Sequence, residues 1–238
     1  SDFPTANSTS AYQGVQDGVV FSLNTDLSQL NWSHYYGGKY ADGLLSLKMV
    51  NDTMIYVAGA THSDSLISPG SASYQTQNLG RSDGWIMGLN NSDGSVRYIT
   101  YNGTNLRDAN FLLDFDAEGN IYAFGQSLGD YPIIGNEVYA DTGAHQFLQM
   151  FSADLSQSKR STVFGNPNIV RANLSPTALM VDDCNNVYVS GWGGGSNAQF
   201  GGPLSGMPVT TNAFKKNTDT RDFYFMVLDA SWKKINYA

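Results

Sequence analysis

The chain has 238 residues, of which 13% are aromatic and only 14% charged, with a formal net charge of −8. That is ample material for one all-β domain, and no basic stripe interleaves with the aromatics, which argues against nucleic acid or an anionic membrane surface as partner. Apolar runs are strand-length, so no direct membrane insertion is expected, and a single cysteine, Cys184, excludes an internal disulfide framework.

From the N-terminus, four short apolar runs follow one another at about 18–24, 30–36, 44–50 and 54–60. Between them lie Thr25-Asp26, Gly37-Gly38-Lys39 and Asn51-Asp52, residues that tolerate the positive φ of tight turns. No window sustains apolar residues at helical spacing. Only Glu118 and Glu137 are glutamates, against 19 aspartates, so good formers of exposed helix faces are missing. The chain reads as all β.

The four-run unit then repeats. Ile55-Tyr56-Val57-Ala58-Gly59 returns as Ile121-Tyr122-Ala123-Phe124-Gly125 and as Val187-Tyr188-Val189-Ser190-Gly191, each time 66 residues on. Asp17-Gly18-Val19-Val20-Phe21 returns as Asp83-Gly84-Trp85-Ile86-Met87, more loosely from His145, and finally from Asp222. A fixed period marks one supersecondary unit copied in tandem, unable to bury its apolar face alone. Four antiparallel strands per unit predict β-propeller blades. The copies span about 1–62, 63–130, 131–206 and, in part, 207–238, which makes about 3.5 blades of an incomplete ring in a single segment, 1–238. On this division the long stretch from 61 to 81 joins one blade to the next. Tyr237-Ala238 aligns with Trp32-Ser33, so the sequence is expected to stop inside the second strand of its fourth blade, leaving an exposed edge near Ile235.

The aligned order also resembles a known family. Asp2-Phe3-Pro4-Thr5, Asp17-Gly18, Trp32-Ser33-His34-Tyr35-Tyr36-Gly37-Gly38 and Ile55-Tyr56-Val57-Ala58-Gly59 look like the SBBP repeat, a bacterial β-propeller repeat. Asp182-Asp183-Cys184-Asn185-Asn186-Val187-Tyr188-Val189-Ser190-Gly191-Trp192-Gly193-Gly194 resembles the form found in large surface proteins of gliding bacteria. The resemblance covers nearly the whole chain and implies a fold, a cell-surface setting and a link to gliding motility. It carries over no catalytic residue and no cofactor.

Candidate chemistry is sparse. Asp114, Asp116 and Glu118, with Gly119, begin like an EF-hand loop, but Gly125 stands where the closing bidentate acid is due. A hairpin turn is the plainer reading, with a Ca²⁺ site as the alternative. Asp17, Asp83 and Asp222 recur at strand starts and read as carboxylates capping backbone N–H groups. The glycine-rich insertion after Trp192 is the one unique surface element, and Trp192, Asn197 and Phe200 in it are candidates for stacking on a sugar or partner side chain. The sequence opens on Ser1, which reads as a processed or excised segment. Low lysine and cysteine point to an extracytoplasmic, secreted or cell-surface protein. The expected role is a non-catalytic scaffold or binding module with a protein or glycan partner, completed by further blades of a longer chain or by a second copy. The alternatives are a polysaccharide-active enzyme using channel aspartates and a subunit or plug docked on a larger surface or secretion assembly.

Overall fold

The computed structural model describes residues 3–8, 11–67, 71–194 and 201–238. Among these residues there are fourteen β-strands and no helix: β1 (Gly18–Leu23), β2 (Leu30–Tyr36), β3 (Asp42–Asn51), β4 (Met54–Thr61), β5 (Asp83–Asn90), β6 (Val96–Asn102), β7 (Asp108–Phe115), β8 (Ile121–Ser127), β9 (Gln146–Phe151), β10 (Ser158–Phe164), β11 (Ser175–Val181), β12 (Val187–Trp192), β13 (Phe223–Leu228) and β14 (Ile235–Tyr237). They form three four-stranded antiparallel sheets, β3-β4-β5-β6, β7-β8-β9-β10 and β11-β12-β13-β14, and a two-stranded sheet β1-β2. The sheets are blade-like and their arc does not close.

The phase of the blades differs from the one expected. Each complete sheet takes its first two strands from one sequence copy and its last two from the next. The long connections, 62–82 among them, therefore lie inside a sheet, between its second and third strands. The links between sheets are the short ones, such as 37–41 and 103–107. Loop length misleads here for a geometric reason. Five extended residues reach about 17 Å, enough to cross three inter-strand spacings of about 4.8 Å from the fourth strand of one sheet to the first strand of the next.

The edge near Ile235 is neither unpaired nor part of a half sheet: β14 is the fourth strand of its sheet, and beyond it Thr210 N donates to the Ala238 carbonyl at 3.0 Å while Ala238 N donates to Thr210 Oγ1 at 3.1 Å. Every outer strand is covered in this way. Tyr101 N of β6 donates to Gln75 O, Ser161 N of β10 to Ile134 O, and Ser33 N of β2 to Ala6 O. The long connections, and for β2 the N-terminal segment, thus blunt the outer sheet edges against strand addition. The half sheet is β1-β2.

Alternate residues of each strand face the preceding and the following sheet. Val20, Trp32 and Tyr36 pack on Ile55, Val57, Trp85 and Met87. Tyr56, Ala58 and Ile86 meet Leu113, Ala123 and Phe151, and Tyr122, Phe124 and Leu148 meet Val187, Val189 and Met226. The first strands β3, β7 and β11 run side by side. Leu113 N donates to Ser46 Oγ at 3.0 Å and Val181 N to Asp114 Oδ2 at 2.7 Å, both bridging consecutive first strands.

Two repeated features explain residues that the period preserves. Each first strand carries a register shift at the same place, at Leu44/Ser46, Asn110/Leu112 and Pro176/Ala178. It brings a carbonyl over the second strand, so a Cβ on Gly59, Gly125 or Gly191 would lie 1.9, 2.3 or 2.7 Å from the oxygen of Gly43, Ala109 or Ser175. That is why the five-residue phrase ends in glycine. The β9–β10 and β13–β14 turns each hold a large apolar residue at positive φ, Leu155 at 57° and Trp232 at 62°, fully buried against the preceding sheet. The β1–β2 turn holds Leu27 at 60° in the same way, yet Leu27 is 72% exposed.

Candidate interaction surfaces

The recurrent aspartates are tied to the backbone around them. Asp17 accepts from Gln13 N at 2.7 Å, and Asp83 from Leu79 N at 3.0 Å, Gly80 N at 3.2 Å and the Gln75 amide at 2.7 Å. Asp222 accepts instead from the Thr218 hydroxyl and from Lys215. A second recurrent pair opens β3 and β7: Asp42 accepts from Gly38 N and Asp108 from Thr104 N, both at 2.7 Å. The Asp42 carboxylate also takes the Thr61 and Ser63 hydroxyls. Apart from Asp222, these carboxylates close turns in equivalent places, as carboxylates capping N–H groups do.

Burial first, and then the nearby charge of Asp108, pushes the Asp83 carboxyl up to about 6, while its N–H donors pull the other way. Burial likewise raises Asp108. The folded state holds the Asp83 proton more tightly than the unfolded chain, whose carboxyl titrates at 3.8. The contribution to stability is therefore largest below 3.8, falls as pH rises toward about 6, and is flat above. The difference in urea midpoint between the unmodified protein and Asp83→Asn should show that fall across this window.

The acidic turn does not gather its three carboxylates. Asp114 points across to β11 and to Lys48, whose Nζ lies 3.3 Å away. Asp116 Oδ1 accepts from Glu118 N and Asn120 N, and its Oδ2 from the Asn120 amide and the Tyr122 hydroxyl. Asp182 repeats the arrangement with Cys184 N, Asn186 N and Tyr188. With these oxygens already bonded inside a hairpin, a chelator is expected to leave the melting temperature unchanged.

Of the three residues singled out in the glycine-rich insertion, Asn197 and Phe200 lie outside the described residues. Trp192 ends β12, half-buried, opposite Ser175 on one side and Phe223 on the other. It belongs to a larger apolar face. Tyr188 lies opposite Val227, and Ser190 opposite Phe225. The Phe225 ring lies 6.2 Å from that of Tyr188 and 6.1 Å from that of Tyr237. The equivalents of Phe225 in the two preceding sheets, Ile86 and Leu148, are 0% exposed, whereas Phe225 is 44% and Phe223 81% exposed. The last sheet thus carries the kind of face that the other sheets bury against a neighbour. Phe223 was missed in the sequence although a signal existed, because it stands where the other copies have Gly84 and Gln146.

One cavity of about 430 Å³ opens at the start of β7, lined among others by Ser82, Arg107, Asp108, Gln126 and Arg171. Among the described residues, Asp108 is its one carboxylate. No family model matches the chain, and no curated protein matches it.

Proposed function

We propose that the chain is a non-catalytic β-propeller scaffold and protein-binding module, built of SBBP-type repeats and belonging to a secreted or cell-surface bacterial protein. The observation that carries this reading is the apolar face of the β11–β14 sheet. Tyr188, Phe225 and Val227 occupy positions that the preceding sheets bury, and an apolar face of this kind marks a contact surface. The carboxylates also favour it, since those of Asp17, Asp42, Asp83 and Asp116 close turns and, among the described residues, the large cavity is lined by Asp108 as its one carboxylate. Reaction and binding can be tested separately. Incubated with acidic and neutral bacterial polysaccharides, the protein should release no new reducing ends. Turnover that is abolished in Asp108→Asn would instead establish the polysaccharide-active alternative. Phe225→Asp should lower dye binding by exposed apolar surface without lowering the melting temperature, and an unchanged dye signal would remove the contact surface on which the proposal stands.

A further inference from the structure

The binding-module reading can be carried further at the other end of the arc, where three observations converge. The third strands β5, β9 and β13 are each paired on both sides, but β1, which the 66-residue period makes their equivalent, pairs with β2 alone. In an antiparallel pair alternate residues aim N–H and C=O away from the partner, so β1 keeps a row of backbone groups for a strand that is absent among the described residues. The neighbouring first strand β3 exposes Leu45, Leu47 and Met49 by 53, 51 and 51%. In β7, which has a first strand on either side, no residue is exposed, and Leu113, the equivalent of Leu47, is 1% exposed. Finally, a second copy of this chain cannot fill the gap. Its own half sheet is again the outer pair, and its inner pairs β3–β4, β7–β8 and β11–β12 are all committed to sheets.

We propose that the β1 edge and the Leu45–Leu47–Met49 row form a docking site for a β-hairpin of the inner-pair type, supplied by a polypeptide segment other than these 238 residues. The three complete sheets define its chemistry. One strand carries aliphatic-Tyr-(Val or Ala)-x-Gly and pairs antiparallel with β1, and the other covers the β3 row. The register is fixed as well. Gly59 lies opposite Trp85, Gly125 opposite Phe147 and Gly191 opposite Tyr224, so the incoming glycine belongs opposite Val19. The tyrosines lie opposite Gly88, Met150 and Val227, which puts the incoming tyrosine opposite Ser22. This is recognition by strand addition, with main-chain bonds giving affinity and alternate side chains giving specificity.

The inference rests on the scaffold reading, yet the two can fail separately, because hairpin uptake is measured without any polysaccharide and away from the Phe225 face. The probe is a labelled peptide of residues 42–61, titrated into the folded chain and followed by fluorescence anisotropy, with a peptide of residues 83–102 as the outer-pair control. The inner-pair peptide should bind saturably, and Leu47→Glu should weaken it by about tenfold or more, equivalent to about 1.4 kcal/mol. Phe225→Glu should leave it unchanged, and alternate amides of β1 should gain protection from hydrogen exchange in the unmodified protein. The exchange measurement does not depend on how Leu47→Glu folds. Absence of binding, equal binding of the outer-pair peptide, or equal loss in Phe225→Glu would overturn the proposal. So would a dimer, seen by light scattering, that Leu47→Glu dissociates, since a second copy would then occupy the site.

Discussion

Gly125→Ala is expected to cost about 3 kcal/mol or more in urea unfolding, a large effect for one methyl group. The added Cβ would sit 2.3 Å from the Ala109 carbonyl and 2.3 Å from the Phe147 ring. Neither can give way. The carbonyl belongs to the strand with the register shift, and the buried Phe147 ring stacks on Tyr131 at 4.0 Å with 9° between planes. Tyr131 is held in turn by its hydroxyl, which donates to Asn102 Oδ1 at 2.7 Å. Gly43→Ala is the matched comparison. Its Cβ would meet only the Gln16 amide, at 3.9 Å, so the change should be neutral or stabilise by about 0.5 kcal/mol through the less flexible unfolded chain. Similar costs at the two glycines would mean that the close approach at Gly125 does not constrain the fold.

The second large effect reverses sign between equivalent turns. Leu155→Gly should destabilise by about 3 kcal/mol, because a fully buried leucine is lost from the interface between two sheets. Relief of its left-handed backbone, worth about 1 kcal/mol, offsets only part of that. Leu27 has the same backbone, φ 60°, but its side chain lies largely in solvent. Leu27→Gly should therefore stabilise by about 1 kcal/mol. Thermal melts at two protein concentrations would check both. A Leu27→Gly variant as damaged as Leu155→Gly would show that Leu27 is packed against something in solution.

The period made the strands legible, because the spacing of Tyr56, Tyr122 and Tyr188 places all three in the second strands of successive sheets. It left the phase open. A tandem repeat has no intrinsic starting point, and choosing one by taking short loops to join neighbouring strands failed at Gly37–Ala41, where five residues cross a whole sheet. The role of Asp114 was hidden for a related reason. Its partners, Lys48 and Val181 N, come from the preceding and following first strands, and only stacking brings them together. Trp192 was legible as an aromatic in an unusual place, but its company, Phe223 and Phe225, arrives from another strand thirty or so residues away.

The offset between copies and sheets also decides what holds a cut chain together. β4 and β5 pair along their full length, from Met54 with Asn90 to Thr61 with Asp83, although residues 62–82 separate them in sequence. A single cleavage after exposed Arg81 would thus leave two fragments woven through one shared sheet, joined by an intact hydrogen-bond ladder. Cleavage within 103–107 would divide the chain between sheets that meet only through side chains and a few cross-strand bonds. Protein nicked after Arg81 alone should therefore elute as a single species under native conditions and separate into two bands only when denatured, with each sheet acting as a clasp between consecutive copies.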